Sequence, residues 1–192
     1  MGEEPLLTLL SETDSSYSME ESISSQLLFE GKNFSFYHDR VRLPNGRETE
    51  RDIVRHPGAV AIVAVHEDEI VLVKQYRYVT GKYLLEIPAG TLEEGENPFR
   101  CAVRELQEET GYAASSWRRL FQCYVAPGYS DEIVYFYLAE GLTCVGSNPE
   151  EDEIILTNRY NVEEVLGMIE SNEIEDAKTI IGVLRYLTHF NL

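Results

Sequence analysis

Apolar and polar positions change rhythm along this chain, and each rhythm predicts a different element. Residues 26–55 carry strand-type side chains, among them Phe34, Phe36 and Val41, around Pro44-Asn45-Gly46. Asn-Gly favours a tight hairpin, so this stretch predicts a small antiparallel β element. After His56-Pro57-Gly58, two apolar runs at 59–65 and 70–76 flank the acidic turn Glu67-Asp68-Glu69, which predicts a second hairpin. A further run at 83–87 leads into Pro88-Ala89-Gly90, and two more, at 120–125 and 133–139, bracket the loop 126–131.

Elsewhere the spacing switches to threes and fours. Phe99, Ala102, Val103, Leu106 and Thr110 recur at helical spacing and predict one buried stripe. Asn97 can cap the free N–H groups ahead of Pro98, and Gly111 supplies the left-handed stop. Asn161 with Glu164 reads as a capping pair for a helix through Glu170. A last helix is predicted from about Asp176 towards His189, with Ile180, Ile181, Leu184 and Leu187 on one face. Strands interleaved with helices predict an α/β fold built as α/β/α layers around a mixed sheet.

Composition narrows this picture. A chain of 192 residues is one domain with a small extension. The Ser- and Glu-rich residues 1–25 are expected to be a mobile tail, 26–56 the N-terminal β element, and 57–192 the main domain. A net charge of −18 argues against nucleic acid or an anionic membrane as partner. No apolar run approaches the roughly 20 residues that span a bilayer, and no targeting segment is evident. Cys101, Cys123 and Cys144 lack paired spacing and are expected as buried small hydrophobes in a reducing cytoplasm.

The chemistry concentrates at 90–112, GTLEEGENPFRCAVRELQEETGY. At about 100° per residue, Glu105, Glu108 and Glu109 fall on one arc beside the apolar stripe. Carboxylates packed this closely repel unless a cation sits among them, and oxygen-rich sites suit Mg²⁺ or Mn²⁺. Glu96 and Arg104, oppositely charged, can pair across the loop–helix junction. His38, His56, His66 and His189 show no metal spacing, and Trp117 with the 135–137 tyrosine strand reads as core and interface.

This segment resembles the signature of the Nudix hydrolases: Gly90, Glu96 after five residues, Arg104-Glu105 after seven more, then Leu106, Glu108-Glu109 and Gly111. Tyr112 departs from the usual aliphatic residue at its position. The runs RDIVRHPGAV at 51–60, VKQYRY at 73–78 and LEIPAG at 85–90 look like ADP-ribose pyrophosphatases. So do Pro127, sixteen residues after Gly111, and Asp176-Ala177-Lys178-Thr179. The resemblance implies the Nudix fold and hydrolysis of ADP-ribose to AMP and ribose 5-phosphate with Mg²⁺ or Mn²⁺. Another nucleoside diphosphate sugar such as GDP-mannose, or an ADP-ribose sensor without catalysis, remains open.

Residue by residue, the resemblance implies Glu105 and Glu109 as principal metal ligands, Glu108 sharing the cluster, and the Ala89 carbonyl as a further ligand. It gives Gly90, Glu96, Arg104, Gly111 and Pro127 structural roles. The general base would come from the acidic loop 149–154, with Glu151 favoured, Glu153 as an extra metal contact, and Glu150 or Asp152 as alternatives in register. Arg51 and Arg77 would hold the adenosine-diphosphate portion, Arg being a planar bidentate donor to phosphate. Phe34 would stack on adenine from a neighbouring subunit, and Ser130 and Glu132 would contact the terminal ribose. Relatives imply a homodimer, and the aromatic residues of 26–55 also need a surface to bury them.

Overall fold

The computed structural model describes residues 19–146 and 155–190, the side chains of 189 and 190 excepted. Three strands open the described chain: β1 (Glu21–Glu30), β2 (Ser35–Arg42) and β3 (Glu48–Arg55), an antiparallel sheet in that order. The expected turn joins β2 to β3. There Gly46 sits at φ 82°, and Asn45 Oδ1 accepts the Arg47 N–H at 3.0 Å. Strand β1 takes in the last five residues, 21–25, of the stretch expected as tail. Its Ser-rich start holds because pairing with β2 supplies what composition lacks; Ser25 Oγ donates to the buried Asp39 carboxylate at 2.5 Å.

The second sheet contains β4 (Ala59–His66), β5 (Glu69–Arg77), β6 (Lys82–Glu86), β7 (Ala89–Thr91), β8 (Tyr112–Tyr124), β9 (Ile133–Cys144) and β10 (Ile155–Asn161). Its main path runs β10-β5-β4-β9-β8, with β6 paired to β5 and β7 to β4. Only β4–β9 is parallel among these pairs, so the sheet is mixed. Three helices among the described residues cover it: α1 (Pro98–Thr110), α2 (Val162–Glu170) and α3 (Ala177–Phe190).

Strand β4 shows why the layers form. Val60, Ile62 and Ala64 pack on one face with Cys101, Ala102 and Leu106 of α1. The alternate residues Ala61, Val63 and Val65 pack on the other, with Val165 of α2, Val183 and Leu187 of α3, and Ile174 between them. A strand that is apolar from 59 to 65 without a break must be covered on both faces. Each fully buried Val or Ile contributes roughly 1.5–3 kcal/mol relative to exposure.

The helix caps are as expected. Asn97 accepts the Phe99 N–H at 2.9 Å ahead of Pro98, and Gly111 takes φ 74° and donates to Gln107 O. Asn161 and Glu164 complete a reciprocal capping box. The buried faces, however, are turned from those expected. Phe99 and Val103 of α1 are 42% and 41% exposed, while Cys101 and Glu109 are buried instead. The helix rolls its acidic edge inward over β7, because Glu109 bonds to the β7 backbone. Phe99 is left to pack edge-on against Trp117, with ring centroids 5.6 Å apart. In α3, Ile181 and Leu184 lie exposed and Val183, Tyr186 and Leu187 face the core.

Two strands exceed expectation. Strand β8 starts directly after Gly111 rather than near 120, and its polar outward positions hide the alternation. Strand β10 is mostly polar because it is an edge strand, held by backbone pairing to β5. The two sheets meet where Val54 N–H donates to Tyr129 O at 2.8 Å, so β3 holds the 126–132 loop against the main domain.

Candidate active site

One cleft of about 1030 Å³ opens between the C-terminal half of α1, β7 and the start of α3. Its floor is β7 with the residues that follow it, 89–94, and one wall is the acidic edge of α1. Ala89, Gly90, Glu105, Glu108 and Glu109 all line it.

Backbone geometry explains how the carboxylates are held there. Ala89 N–H donates to Glu109 Oε2 at 2.9 Å, which fixes a carboxylate only 5% exposed. A Cβ at Gly90 would lie 1.9 Å from the Glu105 carboxylate, so Glu105 rests directly on the glycine backbone. Any larger residue at 90 would displace it. Arg104 then reaches along the helix. Its Nη1 donates to Glu105 at 2.7 Å and Glu108 at 2.9 Å, and its Nε and Nη2 grip Glu96 at 3.1 and 3.0 Å. The expected Glu96–Arg104 pair is therefore present, and Arg104 also supplies positive charge to the cluster. Hydrogen bonds from Arg104 hold the Glu96 carboxyl below its usual value, and the same bonds hold the guanidinium above its own.

Among the described residues no three His, Cys, Asp or Glu side chains converge as a finished metal cage. Arg104, bonded to Glu105 and Glu108, balances part of their charge. The donor set nonetheless fits a hard divalent ion: carboxylates from one helix edge, anchored on a backbone segment that a side chain at 90 would block.

The other expected residues divide into three groups. Arg77 and Glu132 line the cleft. Arg51, Phe34 and Ser130 do not. Arg51 bonds Glu20 at 2.7 Å and the Glu50 carbonyl at 3.0 Å on the N-terminal sheet. Phe34 is 46% exposed in the β1–β2 connection, beside the lining residue Asn33. Ser130 is buried and its Oγ accepts the Glu132 N–H at 3.1 Å, which steadies Glu132 rather than meeting the cleft. Pro127 sits in the turn closed by Ser130 N–H to Ala126 O at 2.9 Å. Glu150, Glu151, Asp152 and Glu153 lie outside the described residues.

Sequence reasoning passed over Glu86 and Lys178 as site residues. Glu86 is 1% exposed and takes both Nε and Nη2 of Arg77 at 2.7 Å. Lys178 Nζ donates to the same carboxylate and, at 3.0 Å, to Asp176. Burial pushes the Glu86 carboxyl upward, but the Arg77 bonds and Lys178 outweigh it and hold it below the ordinary value. The available signal was a lone carboxylate between Leu85 and Ile87 in an apolar strand.

Residues 54–181 match the family described as NUDIX domain, which is well over half the chain. The chain belongs to the Nudix family. Nudix relatives are similar over most of its length. An ADP-ribose pyrophosphatase of Bacillus subtilis is 43% identical over 85% of this chain and 90% of its own. A methanol dehydrogenase activator of Bacillus methanolicus is 42% identical over the same shares. An ADP-ribose pyrophosphatase of Mycobacterium tuberculosis is 43% identical over 85% and 81%. A solved ADP compounds hydrolase shares the fold with a TM-score of 0.82 at 20% identity, covering 92% of this chain and 96% of that one. The Nudix segment 90–112 is thus the cleft wall and floor just described, and this Nudix hydrolase carries all its acids.

The cysteines divide differently from expectation. All three are free, but only Cys101 is buried, Cys123 is intermediate and Cys144 is exposed. Burial, with Glu105 and Glu96 nearby, pushes the Cys101 thiol up to about 12. Since the thiolate is the reactive form, Cys101 in native protein is expected to resist alkylation at pH 8 while Cys144 is labelled. Peptide mapping after brief iodoacetamide treatment checks this; early labelling at Cys101 would contradict the burial.

Proposed function

We propose that this chain hydrolyses the diphosphate linkage of ADP-ribose, giving AMP and ribose 5-phosphate, in a reaction that depends on Mg²⁺ or Mn²⁺. One observation carries the reading: Glu109 bonds the Ala89 N–H and Glu105 lies against Gly90 inside a cleft large enough for such a ligand. Similarity to ADP-ribose pyrophosphatases over most of the chain supports the substrate. Glu105, Glu109, Glu108 and the Ala89 carbonyl would hold the ion. Bound there, it would neutralise the diphosphate and acidify a water ligand.

The protein's own groups have separable tasks. Arg104 keeps the carboxylates from repelling one another while no metal is bound, and would release Glu105 or Glu108 when a cation arrives. Arg77 presents a planar guanidinium to the cleft for phosphate oxygens. Glu132, which lines the cleft, would contact the terminal ribose. A glutamate of the 150–153 run, with Glu151 first, is proposed as general base. Incubation with ADP-ribose and Mg²⁺ is expected to release AMP, and EDTA to abolish release. GDP-mannose in the same panel tests the neighbouring specificity: preferential release of GMP would overturn the ADP-ribose assignment.

A homodimer is part of this proposal. Leu27, Leu28, Phe29 and Phe34 are 45–58% exposed on the N-terminal sheet and its first connection. Apolar side chains grouped this way call for a partner surface. With a second copy in place, Arg51 and Phe34 would serve that copy's cleft. Light scattering is expected to give twice the 21.9 kDa chain mass; a monomeric mass would overturn it. Three free cysteines support a cytoplasmic location. No described helix is long and apolar enough to cross a membrane.

A further inference from the structure

We propose that Glu86 is a positioning residue for diphosphate recognition, acting through Arg77 and Lys178. This rests on reading the cleft as a nucleoside-diphosphate site. Glu86 is almost wholly buried, yet it serves two cations that both line the cleft, one from the end of β5 and one from the first turn of α3. A carboxylate taken this far out of water is a poor device for stability alone, since well-packed apolar residues often do as well. Its geometry is better suited to orientation. The bond pair uses the Nε–Nη2 edge of the Arg77 guanidinium, and the planar fork is thereby held in one plane. The Nη1–Nη2 edge of the same plane is chemically a second bidentate donor for phosphate oxygens.

A closed set of bonds keeps that plane in register with the carboxylates across the cleft. Lys178 also donates to Asp176, and Asp176 accepts the Thr179 N–H at 2.9 Å and its hydroxyl at 2.6 Å. Thr179 Oγ1 in turn accepts the Ile87 N–H at 2.8 Å. Two residues further on, Ala89 binds Glu109, and the next residue is the glycine under Glu105. The phosphate-facing Arg and the acidic edge of α1 are thus referred to one short backbone segment, 86–90. In a chain of net charge −18, whose cleft is lined by many carboxylates, a fixed cation edge is what an anionic ligand requires.

The test compares wild type, Glu86→Gln, Arg77→Lys and the double variant on ADP-ribose in Mg²⁺. Glu86→Gln is expected to raise KM about tenfold or more with kcat within about threefold. Arg77→Lys keeps the charge but loses the fork and is expected to show the same defect. The double variant should be no worse than either single change, because each removes the same oriented guanidinium. A merely structural ion pair would lower Tm and leave KM alone, so KM within twofold of wild type overturns the proposal. So do a loss carried by kcat or multiplied defects in the double variant. If Glu86→Gln fails to fold, the KM of Arg77→Lys decides by the same limits. Wild type inactive on every nucleoside diphosphate sugar would instead overturn the underlying function; an active wild type with unchanged variants overturns the role of Glu86 alone.

Discussion

Replacing Glu109 with Gln is expected to lower kcat by about a thousandfold or more while leaving the fold in place, since several kcal/mol of charge stabilisation at roughly 1.4 kcal/mol per tenfold reaches that size. Glu109 is buried and accepts the Ala89 N–H. Glutamine keeps an oxygen that can accept the same bond, so the loop stays anchored and only the charge is lost. Without metal, removing one of three crowded carboxylates relieves repulsion. The variant is therefore expected to melt at or above the wild-type temperature in EDTA, and to lose the Mg²⁺-induced rise that ligand binding gives wild type. Steady-state AMP release and paired melting curves check both halves. Near-normal turnover would show that Glu109 is a structural anchor only, and the proposed ion site would have to be rebuilt around other groups.

The second large effect is expected from the smallest change, Gly90→Ala. No left-handed backbone angle is required at this position, so alanine meets no conformational strain. What it meets is the Glu105 carboxylate, 1.9 Å from the new methyl group, where ordinary contact begins near 3.4 Å. The obstacle is the far end of a flexible side chain, so it swings aside at little energetic cost. Stability should change little, with Tm within about 4–8 °C, the shift of roughly 1 kcal/mol in a small domain. Catalysis should not be spared. Glu105 would lose its bond to Arg104 and its seat on the loop, and a misplacement of about 1 Å at a reacting site can cost 10²-fold. We expect kcat/KM to fall by about that factor, with more Mg²⁺ needed for half-maximal rate. Wild-type kinetics in a folded Gly90→Ala protein would mean that the position of Glu105 is unimportant.

These two residues also show how far the amino-acid order reaches. The arc of Glu105, Glu108 and Glu109, the Asn97 and Gly111 caps and the Glu96–Arg104 pair were all legible, because each depends on helical spacing or on partners a few residues apart. The double coverage of β4 was legible for a similar reason, as an unbroken apolar run admits no exposed face. Which arc of α1 faces inward was not. Phe99 and Val103 satisfy the periodicity as well as Cys101 does, and the choice was made by Glu109 reaching Ala89, twenty residues away.

Chain order alone therefore determined most of the elements, the acidic helix edge and the family, since these arise from local spacing and short motifs. Only the folded structure decided that Arg77 and Lys178 share the buried Glu86, and that Arg51 and Phe34 lie outside their own cleft. It likewise decided that polar β10 is a strand. Each of these depends on partners brought together from distant parts of the chain, where the balance of burial, pairing and charge is set by neighbours that no local pattern contains.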